Sequence, residues 1–205
     1  ECLSEKGLRP AEYLESINFF REKTFAAHCV HVSLREIEIM KNRGVVAVHC
    51  PTSNVKLMDG IAPLYEMYKS NLKVCLGTDG SASNNSLNMF QELRLASLLQ
   101  RLRGKYFIPN ADLLKMATVN AYSSLGLNCG LEEGRLADIV LIDLKHPNMI
   151  PNKNWESSLV YSANPSNVST VLVDGRIIFS EGSFQTVDED KIHSLADRFL
   201  DRVSF

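Results

Sequence analysis

At 205 residues the chain is long enough for one large domain or a domain with a smaller companion, and with 45% hydrophobic and 22% charged residues it has an ordinary globular composition. A formal charge of -2 from well-mixed acids and bases excludes the basic footprint of a nucleic-acid binder, and no apolar run approaches the length that crosses a bilayer. Five cysteines without a Cys-x-x-Cys pair argue against a disulfide framework and a zinc ribbon; with no charged-then-apolar leader after Glu1, the expectation is a cytoplasmic protein acting on a small, roughly neutral substrate.

Pro10 opens an amphipathic helix over 10–22, with Leu14, Ile17 and Phe20 at helical spacing. Residues 24–32 (TFAAHCVHV) read as a buried strand whose far end carries His28 and His31. Ser33 and Glu36 make a capping box for a helix that stops at Gly44. Residues 45–49 (VVAVH) form the next strand, CPTSN at 50–54 has a loop composition, and a short helix over 61–71 carries Pro63 in its first turn. The run 72–79 (LKVCLGTD) is a strand covered on both faces that delivers Asp79 to its carboxyl end, with Gly77 and Gly80 bracketing the exit. Strands alternating with helices over short links require parallel pairing and right-handed crossovers. In such folds the carboxyl ends of the strands carry the chemistry.

A long amphipathic helix follows over 87–103, and Asn110 caps another that reaches Gly126. Beyond it the periodicity changes to short β-rich runs at 137–144, 169–173 and 176–179, with Asp174-Gly175 as a hairpin turn between the last two. The expected organisation is therefore an α/β unit over 1–126, a small β-domain segment over 127–187 and a final helix over 188–205. That helix carries Ile192, Leu195, Ala196, Phe199 and Val203 in one apolar stripe and should pack against something. Cys29, Cys50 and Cys75 end apolar runs and read as small buried hydrophobes.

Three consecutive strand ends thus carry His28 (with His31 just beyond), His49 and Asp79. Histidine and carboxylate at adjacent strand ends can bind a divalent metal or manage the protons of a bound water. A lone strand-end histidine is commonly a hydrogen-bonded structural residue, the reading adopted for His31 and His49. Asp-Gly is also ordinary turn chemistry, which stays open for Asp79 taken alone.

The segments AAHCVH, CPTSNVKL with the following GIAP, and LGTDGSASNNSLNMFQELRLASLLQ resemble the carboxyl-terminal half of the amidohydrolase superfamily. More narrowly, they are similar to its deaminases of methylthioadenosine, S-adenosylhomocysteine and 5'-deoxyadenosine. ATVNAYSSLGL followed by LEEGRLADIVLIDL resembles that superfamily's junction between barrel and β-domain. The resemblance implies strands 6 to 8 of a TIM-like (β/α)8 barrel plus part of a small β-sandwich. It makes Asp79 the metal ligand that takes the proton of the attacking water, His28 the residue that orients that water, and Ser83 a neighbour of the purine; Asn54 braces its loop. The cofactor implied is a divalent metal, zinc first, with iron or manganese as alternatives. The partner is a nucleoside, with neither nucleic acid nor membrane, and self-association into a homo-oligomer is kept as an expectation. The family's His-x-His and His-x-x-Glu motifs are not among these residues, so the chain by itself is expected to be inactive. Guanine deaminase and triazine or chlorohydrolase chemistry are the alternatives within the family, and a non-catalytic half-barrel module is the alternative outside it.

Overall fold

Two short helices, α1 (Cys2–Lys6) and α2 (Pro10–Ser16), open the computed structural model, which describes residues 1–202. Strand β1 (Phe25–Ala27), helix α3 (Leu34–Asn42), strand β2 (Val46–His49), helices α4 (Pro51–Lys56) and α5 (Leu64–Lys69) and strand β3 (Val74–Leu76) follow in order. The three strands form one parallel sheet in the order β1-β2-β3, pairing Ala26 with Ala47 and Val48 with Cys75. Alternation along β2 turns Val45 and Ala47 toward the helices. There they meet Ile37 and Met40 of α3, Leu64 and Met67 of α5, and Leu93 and Ala96 of α7 (Met89–Gly104) in a continuous core. The short α6 (Ser81–Asn84) precedes α7 in the chain, and α8 (Asn110–Ala117) and α9 (Val119–Leu125) follow it.

Several boundaries differ from the expectation, each for a local reason. The helix from Pro10 ends at Ser16 rather than near residue 22, because Asn18 turns into the left-handed region at φ 55°. The strand expected over 24–32 ends at Ala27, where His28 and Cys29 take φ of 66° and 50° and the Cys29 N–H closes a tight turn onto the Ala27 carbonyl. Residues 51–56 are helical rather than loop: Pro51 supplies a preset first position, and tertiary partners described below hold the turn. Asn110 lies inside its helix behind Pro109 instead of capping it, and Thr118, at φ -134° and ψ -99°, divides the expected single helix into α8 and α9.

After Gly126 the chain builds a second sheet from β4 (Ile139–Ile142), β5 (Val168–Val173), β6 (Arg176–Ser180) and β7 (Ser183–Phe184), antiparallel throughout in that order. Asp174 and Gly175 both have positive φ, 49° and 73°, as a two-residue hairpin with the sheet's own twist requires. Between β4 and β5, helix α10 (Trp155–Tyr161) returns to the first unit: Val160 is buried in the helical core, and the Tyr161 and Ser97 hydroxyls lie 2.5 Å apart. Asp138 links the units again, accepting from the Tyr122 hydroxyl at 2.6 Å and the Asp174 N–H at 2.7 Å. The last helix, α11 (Glu189–Leu200), is capped by Asp188 and buries none of its residues; Val203 of the expected stripe lies outside the described residues. Among the described residues no helix is long and apolar enough to cross a membrane.

Candidate active site

The carboxyl ends of the three parallel strands converge on one polar cluster. The Gly77 N–H donates to the His49 carbonyl at 3.0 Å, which extends the β2–β3 ladder to the exit of β3. A Cβ on Gly77 would stand 2.9 Å from Val48 Cγ1, so glycine is what lets the two strand ends close up here. Two residues on, Asp79 takes φ 62°, and its side chain is exposed. Ser83 Oγ donates to Asp79 Oδ2 at 2.6 Å and Ser53 Oγ donates to the same oxygen at 2.7 Å. Ser83 comes from the turn that Asp79 begins, while Ser53, wholly buried, comes from α4 after β2. The Ser83 hydroxyl, then the Ser53 hydroxyl and the Gly80 N–H, hold the Asp79 carboxyl well below the usual carboxylate range, at about 2. It is a full anion at neutral pH.

At the end of β1, the His28 N–H donates to the Val48 carbonyl at 2.9 Å before the chain turns. His28 Nδ1 sits 2.8 Å from Oδ1 of Asn54, which is buried. A carbonyl oxygen can only accept, so Nδ1 carries the proton and Nε2 keeps its lone pair for a ligand or a water. Both His28 and Asp79 occupy the left-handed region, a conformation that costs energy outside glycine and clusters at functional sites.

The other two histidines part company with the pair. His31 is exposed, and its backbone carbonyl accepts from the Arg9 guanidinium. His49 is buried, and neither ring nitrogen has a hydrogen-bond partner among the described residues, contrary to the expectation of a hydrogen-bonded structural histidine. Burial, helped by the nearby His28, pushes its pKa down to about 4. Ser53 was not singled out by the sequence: it lies 26 residues from Asp79, and a serine inside PTSN carries no local mark of that partnership. Cys50 is buried and Cys29 partly buried against the core, and burial raises both thiols to about 11.

Among the described residues no group of three His, Cys, Asp or Glu side chains is placed to hold a metal ion. Asp79 does fit the chemistry of one ligand: it is exposed and ionised, and both hydroxyl donors fall on Oδ2, leaving Oδ1 with neither. Carboxylate oxygen is a normal zinc donor, and catalytic zinc centres combine three protein ligands drawn from histidine, cysteine and carboxylate side chains.

The amidohydrolase family model matches residues 3–178. The 5'-deoxyadenosine deaminase of Methanococcus maripaludis (strain C7) is 42% identical over 203 residues, an alignment covering 96% of this chain and 47% of that protein. The 5-methylthioadenosine/S-adenosylhomocysteine deaminase of Pyrococcus furiosus is 41% identical, with 98% and 48% covered. Among solved structures, an adenosine deaminase from Xanthomonas campestris with bound zinc superposes with a TM-score of 0.92 at 30% identity, covering 98% of this chain and 47% of that one. A zinc complex of the atrazine chlorohydrolase from Arthrobacter aurescens TC1 superposes at 0.88 and 27% identity, with 96% and 45% covered. The chain spans about half the length of the curated relatives it matches. With that match running from α1 to β6 and through every strand end of the polar cluster, the chain belongs to the amidohydrolase family.

Proposed function

We propose that the protein carrying this chain is a metal-dependent hydrolytic deaminase of adenosine-type nucleosides, a class that includes methylthioadenosine, S-adenosylhomocysteine and 5'-deoxyadenosine, and that it releases ammonia. One observation carries the reading: Asp79 is an ionised carboxylate presented beyond a parallel sheet and oriented by Ser53 and Ser83, within a chain 42% identical to a 5'-deoxyadenosine deaminase. We read β1, β2 and β3 as strands 6 to 8 of a TIM-like barrel, residues 1–126 as its second half, 127–187 as part of a small β-sandwich and α11 as a terminal helix. The parallel order of β1-β2-β3 and the antiparallel second sheet support this division.

A divalent cation held by Asp79, zinc by analogy with the two zinc-bearing neighbours or else iron or manganese, would supply a water acidified toward neutral pH and a positive charge at the reacting centre. Asp79 is the residue of this chain that would hold it, and the remaining ligands would come from the part of the relatives' length that this chain does not span. Asp79 takes a proton from the attacking water. His28, fixed through Nδ1 by Asn54, orients that water with Nε2. Ser83 borders the purine while holding Asp79. The water oxygen adds to C6, one water proton passes by way of Asp79 to the exocyclic nitrogen, which leaves as ammonia when its bond to C6 breaks, and the other water proton ends on the ring nitrogen N1. Triazine or chlorohydrolase chemistry is the second reading, favoured by the superposition on the atrazine enzyme but at 27% identity against 42% for the deaminase.

The test is Asp79→Asn in the whole protein, assayed by ammonia release from 5'-deoxyadenosine or S-adenosylhomocysteine, with zinc content and melting temperature taken on the same preparation. Asparagine keeps the shape but neither the charge nor the proton acceptor, so turnover should fall by about 10²–10⁴-fold or more with little change in melting. Activity within a few-fold of the parent, with metal still bound, would reduce Asp79 to a turn residue.

A further inference from the structure

Behind the Ser53–Asp79–Ser83 cluster lies a carboxyl group with no part in the reaction described above. Glu92, on the first turn of α7, is completely buried, and no ion pair reaches it among the described residues. Its two oxygens serve two different segments. Oε2 accepts from the Thr52 N–H at 3.1 Å, in the first turn of α4 and next to Ser53 and Asn54. Oε1 accepts from Asn84 Nδ2 at 2.7 Å. Asn84 is buried as well, and the same Nδ2 donates to the Thr78 carbonyl at 2.8 Å, one peptide from Asp79, while Asn84 Oδ1 accepts from the Leu87 N–H at 2.9 Å. The neighbouring Gln91 adds a bond from Nε2 to Thr52 Oγ1 at 3.0 Å.

We infer that Glu92 is a positioning residue that clamps α4 and the 78–87 loop onto α7, so that the hydroxyl of Ser53, the amide of Asn54 and the carboxylate of Asp79 are held in one frame. The reaction side of this inference rests on the deaminase reading; the clamp itself does not. A carboxyl group is the one side chain that can present an acceptor to each of these two donors. Glutamine at 92 would offer one oxygen and one NH2, and the NH2 would face either the Thr52 N–H or the Asn84 NH2. Turning the Asn84 amide over relieves the second clash only by taking the donor from the Thr78 carbonyl and the acceptor from the Leu87 N–H. A buried carboxyl group without a countercharge is a poor way to gain stability alone. Its bonds instead run to the two segments that carry the candidate catalytic groups.

The experiment compares Glu92→Gln with Gln100→Leu in the whole protein. Gln100 lies on the same helix, equally buried, and bonds the Tyr65 N–H and the Ala62 carbonyl, away from the cluster. For Glu92→Gln, hydrogen–deuterium exchange should rise at least about ten-fold in 51–56 and 78–87. kcat for ammonia release should fall about ten- to hundred-fold while KM stays within about three-fold, since a misplacement near 1 Å is enough for such a loss. For Gln100→Leu, exchange should rise around 62–66 and the melting temperature should drop, with kcat unchanged. Unaltered exchange at 51–56 and 78–87 in Glu92→Gln overturns the clamp whether or not any substrate is turned over. Loss of kcat in Gln100→Leu in step with its melting temperature overturns the positioning role and leaves general destabilisation. If Glu92→Gln does not fold, Asn84→Ala cuts the same strut from the loop side and is judged by the same two criteria. A parent protein that releases no ammonia refutes the deaminase reading, and the exchange result then decides the clamp alone.

Discussion

Asp79 shows how much a single carboxylate is shaped by its donors. Two hydroxyls donating to one oxygen keep it ionised and hold it in place at a residue whose backbone is left-handed. His28 is set by one bond to Asn54, so Asn54→Leu should free the ring and lower kcat by about ten-fold or more through lost orientation, with KM little changed. A kinetic comparison with the parent checks this, and an unchanged kcat would remove Asn54 from the set. His49 makes a prediction of a different kind. Burial and the neighbouring His28 lower its pKa from 6.5 to about 4. Above pH 6.5 it is neutral in folded and unfolded chains alike. As pH falls from 6.5 toward 4 only the unfolded chain takes the proton, so stability drops, by roughly 2 kcal/mol at pH 5. Urea midpoints at pH 7 and pH 5 should therefore separate in the parent and draw together in His49→Gln; an equal separation in both would show that the acid sensitivity lies elsewhere.

Among the elements, β2, β3 and α4 do most to build the site, and their packing leaves little room. Gly77→Ala would drive a methyl group to 2.9 Å from Val48 Cγ1 and 3.5 Å from Cys50 Sγ. Neither neighbour is a long flexible side chain, so the strand ends must part, at a cost of about 1–3 kcal/mol. Denaturant unfolding should show that loss, and turnover should fall as well because Asp79 is only two residues further along. Gly80→Ala is the control, since a Cβ there meets nothing within 4 Å. If Gly77→Ala were as stable as Gly80→Ala, the close approach of the strands would be unimportant. The helical state of α4 follows the same logic: Glu92 accepts from the Thr52 N–H, and Lys56 Nζ donates to the Ala82 carbonyl at 2.7 Å, so the segment is a helix because of what surrounds it.

For the whole molecule, the question is what the 205 residues can do alone. Phe19, Phe25, Leu14 and Ala27 are among the residues lining an apolar groove of about 360 Å³ beside β1, and Phe19 and Phe25 are about half exposed. Ile192, Leu195 and Phe199 of α11 are exposed on one face of an amphipathic helix. Exposed apolar faces and an open strand edge favour association. A polypeptide of residues 1–205 should therefore elute in light-scattering chromatography as a mixture of associated species, and should melt broadly. A sharp, reversible melt of a monomer would show that this chain is self-sufficient.

The spacing of apolar residues alone determined the three strands and the longer helices up to Gly126, though not α1, α4, α6 or the break between α8 and α9, and with turn chemistry it determined the change to β structure beyond and the hairpin at Asp174-Gly175. His28 and Asp79 were legible too, as polar residues closing apolar runs, and the quoted segments were enough to point to the family that the comparisons show. Their partners were not legible. Ser53 meets Asp79 across 26 residues, Asn54 meets His28 across 26, and Glu92 reaches Thr52 across 40. Such pairs come together only when the sheet is assembled and α7 is laid across it. The same holds for α10, whose Val160 completes a core begun more than a hundred residues earlier. Local pattern decides which elements form, and the turn after Asp79 supplies Ser83, but a hydrogen bond between distant polar groups has no period in the sequence, so the Ser53, Asn54 and Glu92 side of the frame was decided by tertiary packing.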